Sequence, residues 1–491
     1  MYTFGHLLKA YAQEADVPSA AAAFSQMQAS GIEPNVIVYT SLIQACINCR
    51  DFETAWQIFN LIKLKSQATA PDVQTYSLMI HACAVNGEVE RAIGLFTDMT
   101  VGREMAPTAE SYNSLIHACA MRSDYFMEAW KYASEMQNAG LRMDKLTFNV
   151  LVQACGKVGD LTRARLLVRH MNESGNDELL PDKTTFQNLL RAYATYHTGA
   201  SFYHKVKSPA MTPKAQRNAE LAKQTTIEMD EETFVTPKQD LNRRQDHDTA
   251  VEKIPFLPQA ILRNERDVID EAALIVSWLR DRKPWCVDTQ TMNSYLDICK
   301  AQNSFADVEW SYHHDFENPP NPFLRNQQPP ADGEKRYAQC EALAARVLSA
   351  EDYDLPKLRR NIYTFRSALA AAVKFRQFGF AQRVWKDRQA FTTTLAYRRT
   401  PMYDRQKCDL EAERCMIWVL ALDGKLDQAW ERISILAKEG GVEWSWADLE
   451  LVYVKAVQLE NPRVAADIRH ITGREYRDEQ GDGEPPPRRR H

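Results

Sequence analysis

This sequence predicts an all-α fold, a solenoid of helix-turn-helix hairpins followed by a divergent helical C-terminal half. Three observations carry that prediction. A unit of 35 to 38 residues recurs from Met1 to Asp182, and a fixed period of that length marks stacked supersecondary units rather than a domain with one centre. Apolar residues recur at helical spacing within each unit. Each unit also closes on glycine or proline shortly before a polar residue, where one helix must stop and the next begin.

The units are 1–35, 36–72, 73–108, 109–144 and 145–182, and a partial sixth, 183–197, loses register after Tyr196. Position four is aromatic in all six: Phe4, Tyr39, Tyr76, Tyr112, Phe148 and Phe186. Positions seven and eight are aliphatic or Met, as in Leu42-Ile43 and Met79-Ile80. Position ten is always alanine (Ala10, Ala45, Ala82, Ala118, Ala154, Ala192), and position eleven is Tyr11, Cys46, Cys83, Cys119, Cys155 or Tyr193. Positions four, seven, eight and eleven form the stripe that a helix turns toward its neighbours, and alanine at ten allows close approach. A polar turn follows, then a second helix with Ala20 and Phe24, Ala55 and Phe59, or Ala92 and Phe96, closed by Met27, Met99, Met136 and Met171.

Positions five and nine lie one helical turn apart on a different face. They read Gly5/Lys9, Thr40/Gln44, Ser77/His81, Asn113/His117, Asn149/Gln153 and Gln187/Arg191. Small donors and acceptors recur at five, and longer polar or cationic groups at nine, whereas a merely solvated face would carry more Glu and Lys. The last residue of each unit, Asn35, Asp72, Thr108, Asp144 or Asp182, stands where the next helix needs an N-terminal polar cap. Capping alone accounts for Asn and Asp there.

The runs Tyr39-Thr40-Ser41-Leu42-Ile43, Tyr112-Asn113-Ser114-Leu115-Ile116-His117-Ala118-Cys119 and Phe148-Asn149-Val150-Leu151-Val152, with the closing Pro-Asn or Pro-Asp, resemble the pentatricopeptide repeat family over Met1 to about Thr195. Tetratricopeptide repeats, the near alternative, have a shorter period and lack that closing pattern. The resemblance implies a right-handed superhelical solenoid that binds single-stranded RNA, one base per repeat, through two or three side chains. It pairs position five with the last residue: Gly5/Asn35, Thr40/Asp72, Ser77/Thr108, Asn113/Asp144 and Asn149/Asp182. By the same resemblance Thr/Asp favours G and Asn/Asp favours U, so the expected core is 5′-G-N-U-U-3′, with Gly5/Asn35 and Ser77/Thr108 leaving their bases undetermined. Position two would wedge between bases. Tyr2, Ile37 and Leu146 suit that role, and Gln74 and Glu110 do not. Lys9, Gln44, His81, His117, Gln153 and Arg191 would line the groove.

Beyond the array, 198–258 reads as a polar linker or insertion broken by prolines, with a short helix at 213–225. Residues 259–473 read as a divergent helical-repeat domain: a helix at 260–282, hairpins at 361–391 and 409–438, and closing helices at 444–458 and 462–471. Thr289–Leu296 is a degenerate copy, with Asn293 at position five and Cys299 at eleven. Its partner is expected to be lost in the proline-rich loop 318–333, a helix is expected at 334–351, and 474–491 is an expected disordered tail. Eight of the ten tryptophans fall in this half, where indoles on amphipathic helices suit core or partner contacts better than base stacking. Hairpins without a readable code are expected here.

A net charge of −5 argues against coating nucleic acid by charge alone. Of ten cysteines, Cys46, Cys83, Cys119, Cys155 and Cys299 share one buried repeat position, which suits a reducing compartment better than a disulfide framework. The longest apolar run, Ala272–Leu279, is far short of the roughly 20 residues that span a bilayer, so no membrane partner is expected. The repeat is already running at Met1 with no transit-peptide pattern, so an upstream segment is expected to be missing from this sequence.

No catalytic set, metal site or cofactor is expected. His-x-Glu with Pro-Cys-x-x-Cys, the zinc deaminase pattern, is absent. Cys46-Ile47-Asn48-Cys49 lacks a second pair, His313-His314-Asp315 is isolated, and there is neither a block of clustered aspartates nor a glycine-rich phosphate loop. Resemblance to fungal mitochondrial members of the family implies a monomeric, mitochondrial, non-catalytic RNA-binding protein. It would act in small-subunit rRNA 5′-end processing, or in mRNA processing and stability, alongside the mitoribosomal small subunit or a processing nuclease. A structural mitoribosomal subunit and a protein-interaction solenoid without RNA are the alternative classes.

Overall fold

A computed structural model describes residues 2–14, 16–64, 70–197, 253–259, 261–317, 358–438 and 441–473. The expectations for 198–252 with its helix at 213–225, for the loop 318–333, the helix 334–351 and the tail 474–491 lie outside the described residues. The chain divides into two compact units, Met1–Trp278 and Leu279–His491. Both are helical, as the periodicity predicts.

Unit 1 is built from hairpins α1 (Tyr2–Gln13) and α2 (Val17–Ala29), α3 (Val36–Asn48) and α4 (Phe52–Leu64), α5 (Val73–Asn86) and α6 (Val89–Thr97), α7 (Ala109–Ala120) and α8 (Phe126–Asn138), and α9 (Lys145–Val158) and α10 (Leu161–Glu173). Next come α11 (Lys183–Thr195) and α12 (Glu265–Arg282), the latter running on past the unit's end. The first helices of successive hairpins pack on one another in a row, α1 on α3 through to α9 on α11.

That row follows from the stripe. Tyr39, Tyr76, Phe148 and Phe186 are buried, as are Ala45, Ala82, Ala118, Ala154 and Ala192. Ala10, in the first helix, is exposed. A β-carbon on Gly156 would meet the α11 backbone at 3.5 Å, which measures how close the alanine ridge brings α9 and α11. Helices α2, α4 and α6 each send a ring onto the next hairpin, with Phe24 5.6 Å from Tyr39, Phe59 5.3 Å from Tyr76 and Phe96 5.1 Å from Tyr112. Met27, Met99, Met136 and Met171 are fully enclosed, and the five position-eleven cysteines are buried outside any disulfide. Gly87 and Gly159 end α5 and α9 with φ of 75° and 79°, a left-handed step that costs glycine no β-carbon clash.

Position thirteen links neighbouring hairpins. Asn48 Nδ2 donates to Ala12 O, the Lys157 ammonium to Ala120 O and Met121 O, and Thr195 Oγ1 to Gly156 O. Each satisfies a carbonyl left without a partner at the end of the preceding first helix.

A buried ion pair closes unit 1. Arg165 of α10 meets Glu271 of α12 at 2.8 Å, their side chains 4% and 0% exposed. The guanidinium also donates to Leu257 O and Gln259 O, and Glu271 accepts from the Leu257 amide and the Tyr193 hydroxyl. Burial raises the Glu271 carboxyl, against the pull of Tyr193 and Arg165.

Unit 2 comprises α13 (Thr289–Ala301) and α14 (Phe305–His314), α15 (Ile362–Phe375) and α16 (Phe378–Thr392), a short α17 (Leu395–Arg399), α18 (Met402–Leu422) and α19 (Leu426–Lys438), and α20 (Trp446–Gln458) and α21 (Pro462–Ile471). Within unit 2 the first helices pack in a row of their own, α13 on α15, α15 on α18 and α18 on α20. Two boundaries differ from the sequence reading. The helix expected from 260 begins at Glu265, after Asn264 hydrogen-bonds Asp267. The one expected from 409 begins at Met402, directly after Pro401, because nothing in 402–408 breaks a helix. Helix α17, capped by Thr394, was not anticipated. Strands β1 (Phe316–Glu317) and β2 (Leu358–Arg359) pair in parallel. No helix among the described residues is long and apolar enough to cross a membrane.

Candidate nucleic-acid interface

The last residue of each repeat is an N-terminal cap, as its chemistry suggests. Side chains of Asn35, Asp72, Thr108, Asp144 and Asp182 accept from the backbone amide three residues on. The recipient is position three of the next repeat. From Thr75 onward that position is Thr75, Ser111, Thr147 and Thr185, all essentially unexposed. This buried hydroxyl joins the two members of each pair.

In the Asn113/Asp144 pair, Thr147 Oγ1 lies 2.5 Å from Asn113 Oδ1 and 2.7 Å from Asp144 Oδ1, while Asn113 Nδ2 donates to Asp144 Oδ2 at 3.1 Å. In the Asn149/Asp182 pair, Thr185 Oγ1 shares its one proton between Asn149 Oδ1 at 2.6 Å and Asp182 Oδ1 at 2.9 Å, with the amide nitrogen 3.5 Å from Asp182. The hydroxyl is the donor, so the amide oxygen points into the protein and the amide nitrogen points outward beside the carboxylate. These pairs present an N–H donor next to an acceptor.

The Thr40/Asp72 pair presents something different. Thr75 Oγ1 donates to Asp72 Oδ1 at 2.7 Å, and Thr40 Oγ1 lies 2.8 Å from both Thr75 Oγ1 and Val36 O. With its proton used inside, the Thr40 hydroxyl offers lone pairs beside a carboxylate, two acceptors in all. Ser77 is 5% exposed and shares hydrogen bonds with Val73 O and Ser111, which also meets Thr108. Val38 holds position three beside Gly5/Asn35, and that pair therefore has no bridge.

The other residues singled out from sequence divide by exposure. Ile37 is 62% exposed and Leu146 66%, apolar side chains held in solvent at position two, while the side chain of Tyr2 lies outside the described residues. Asp72, Gln74, Thr108 and Glu110 line an open recess of about 550 Å³ between the third and fourth repeats. At position nine, Lys9, His81 and Arg191 are exposed, and Gln44, His117 and Gln153 are half-buried. Burial, helped by the neighbouring charges of His81 and Lys157, lowers the His117 pKa, which favours the neutral ring with one donor and one acceptor nitrogen.

One pair escaped the sequence reading. The partner of Asn293 is not lost in the loop 318–333. It is Asn361, the cap of α15, whose Oδ1 accepts from Asn293 Nδ2 at 3.1 Å. Thr364, at position three, donates to Asn293 Oδ1 at 2.7 Å. The available signal was Asn361-Ile362-Tyr363-Thr364-Phe365, which repeats the cap, hydroxyl and aromatic spacing of Asp144-Lys145-Leu146-Thr147-Phe148.

Comparison with known proteins agrees with this architecture. A model of the PPR repeat family matches residues 1–48, 34–85, 71–121 and 107–157, and a PPR repeat model matches 146–176. The mitochondrial 15S rRNA processing factor CCM1 of Clavispora lusitaniae is 22% identical over 484 residues, 96% of this chain and 62% of the relative. The protein of the same name from Komagataella phaffii is 24% identical over 482 residues, again 96% and 62%. That of Yarrowia lipolytica is 30% identical over 321 residues, 62% of this chain and 40% of the relative. The chain thus spans about three-fifths of the length of the first two relatives. With repeats matched over residues 1–176 and cap, hydroxyl and position-five residues in register, this N-terminal part carries pentatricopeptide repeats, and the chain resembles the fungal mitochondrial rRNA processing factors.

Proposed function

We propose that this protein is a sequence-selective single-stranded RNA-binding protein of mitochondria, acting in RNA maturation without catalysing the chemistry. The observation that carries the reading is the row of hydroxyl-bridged pairs, repeated at one geometry on successive hairpins. Each pair offers a fixed pattern to a base edge. Two acceptors at Thr40/Asp72 suit guanine, whose N1–H and N2–H are adjacent donors. An amide N–H beside a carboxylate, at Asn113/Asp144 and Asn149/Asp182, suits uracil, with a carbonyl next to N3–H. With the letters that the family resemblance implies for these pairs, the core is 5′-G-N-U-U-3′.

Relatives named as 15S rRNA processing factors support a small-subunit rRNA precursor as the target, with mRNA processing or stability as the other branch of the same reading. A monomer working beside the mitoribosomal small subunit or a processing nuclease would hold its segment extended, to shield it from an exonuclease or expose a cleavage site. Four or five readable repeats, each worth about 1–3 kcal/mol, give limited selectivity, so RNA structure or a protein partner would supply the rest.

Sequencing RNA crosslinked to the protein by ultraviolet light in cells tests this reading. Precursor rRNA carrying the G-N-U-U core is the expected catch. Recovery only with mature ribosomal subunits would make it a structural subunit, and absence of crosslinked RNA would leave a protein-interaction solenoid.

A further inference from the structure

We propose that helix α17 and the first turns of α18 form a docking surface for an anionic lipid bilayer, with Leu395, Met402 and Tyr403 as its apolar tips and Arg398, Arg399 and Lys407 as its cations. The surface is separate from the base-reading pairs and does not depend on them. It rests on three observations.

The stretch is surplus to the repeat. In unit 1 the linker 30–35 leads from α2 straight to the capped start of α3. After α16 the chain instead forms α17 and then starts α18 at Met402, although the buried stripe of that helix begins only at Cys408. The inner side of this surplus is fixed. Thr394 Oγ1 caps α17 by accepting from the Tyr397 amide. The Tyr397 ring lies 5.8 Å from Phe391, its hydroxyl donates to Asp409, and Arg388 holds the same carboxylate at 2.6 Å. The Arg405 guanidinium, 5.5 Å from the Tyr397 ring, brings the start of α18 against α17. Packing accounts for that side only.

The outer side is more apolar than folding requires. Leu395 and Met402 are each 66% exposed and Tyr403 is 74% exposed. No other stretch as short as 395–403 among the described residues holds three large apolar side chains so far out in solvent. Single exposed apolar residues are ordinary on a protein surface, whereas a cluster marks a contact.

Charge decides the occupant. Arg398, Arg399 and Lys407 are exposed among these tips, and the one carboxylate of 395–407, Asp404, is half-buried, in a chain whose net charge is −5. A locally cationic face selects an anionic partner. Leu395 and Met402 have neither a flat ring to stack on a base nor a group to read one, so a nucleic acid would leave them in water. A bilayer takes both kinds of group. The acyl boundary receives Leu395 and Met402, the headgroup level suits the Tyr403 ring with its hydroxyl wet, and the cations reach lipid phosphates over long apolar stems. Such a contact needs no membrane-crossing helix.

Co-sedimentation of the chain with vesicles tests the surface, using phosphatidylcholine alone and phosphatidylcholine with about one-quarter cardiolipin. The expected result is binding to the cardiolipin vesicles, weakened by salt, and little binding to the neutral ones. Leu395→Gln with Met402→Gln and Tyr403→Gln should lower the partition coefficient about tenfold or more, and so should Arg398→Gln with Arg399→Gln and Lys407→Gln. All these positions are exposed, so both triple variants should melt with the wild type. A wild-type chain that stays in the supernatant with both vesicles overturns the proposal without any variant and leaves the RNA reading standing. An apolar triple variant that binds as the wild type does also overturns it, since diffuse charge attraction would then suffice. Loss of RNA retention on a filter by the triple variants, with vesicle binding kept, would overturn it too and assign the patch to RNA.

Discussion

The Thr147 hydroxyl lies 2.5 Å from the amide oxygen of Asn113 on the preceding hairpin. That contact determines which end of the Asn113 amide faces the groove, because a hydroxyl that donates to the oxygen leaves the nitrogen outward. Thr147→Val removes the hydroxyl with little change in volume, and Val38 already holds the equivalent place in the second repeat. Loss of one such hydrogen bond should lower stability by about 0.5–1.5 kcal/mol. Preference for U at this letter should fall about tenfold in an RNA selection, with the G letter at Thr40/Asp72 untouched. Unaltered preference would make the hydroxyl a packing feature only.

Asn113→Thr should change the letter itself. Beside Asp144 and Thr147 the new hydroxyl reproduces the Thr40/Thr75/Asp72 arrangement, with its proton turned inward and lone pairs outward. RNA selection should then report G in place of U at that position. A preference that stays at U would exclude Asn113 from base reading.

Asp72 caps α5 and, in the function proposed above, belongs to a base-reading pair, and two substitutions separate the roles. Asp72→Ala removes the acceptor for the Thr75 amide at 2.8 Å and should cost about 1 kcal/mol in thermal unfolding. Asp72→Asn keeps the cap and should melt within a few tenths of a kcal/mol of wild type. Both should lose the preference for G. An Asp72→Asn protein that still selects G would reduce this residue to its cap.

How much of this was legible in the sequence depends on range. Positions four, seven, eight, ten and eleven repeat at helical spacing, so the hairpins and their packing face could be read from identity alone. The caps could be read too, since Asn, Asp and Thr stood before each aromatic-led helix. Position three was harder. Thr75, Ser111, Thr147 and Thr185 look like ordinary small polar residues until two hairpins are stacked, because each bridges groups from adjacent repeats. Asn361 was hidden differently. It lies 68 residues from Asn293, beyond any spacing a search for a period near 36 would try, and only the pairing of Phe316–Glu317 with Leu358–Arg359 brings it back.

Arg165 and Glu271 raise a separate expectation about stability. Replacing Arg165 with Met would strand a carboxylate that is fully enclosed, a change that typically costs about 3–5 kcal/mol. It would also release Leu257 O and Gln259 O, which the guanidinium holds at 2.9 and 2.8 Å. Thermal unfolding should show the loss, and limited proteolysis should cut near 257–259 before the repeats. Arg165→Met with Glu271→Leu should recover most of the stability, since the cost lies in the unpaired charge. A double variant no better than the single would place the cost in lost packing.

Acid should weaken unit 1 through histidine before it reaches the capping carboxylate of Asp182. Burial lowers the pKa of His117, aided by His81 and Lys157, and burial lowers that of His170, which packs 5.6 Å from the Phe148 ring, against the opposing charge of Glu173. The ordinary value of both is 6.5. Between that value and the lower folded ones the unfolded chain binds more protons, so stability rises with pH there. It is complete above about pH 6.5 and is lost as the pH falls toward the folded values. Asp182 behaves in the opposite range. Burial pushes its carboxyl up, but hydrogen bonds from Thr185 and Asn149 and the charge of Lys145 outweigh that and hold it below 3.8. Its contribution is therefore present above that value and disappears only in stronger acid. Melting temperatures should accordingly drop between about pH 7.5 and 5.5, and His117→Gln with His170→Gln should flatten that drop. A double variant with the wild-type slope would assign the acid sensitivity to other groups.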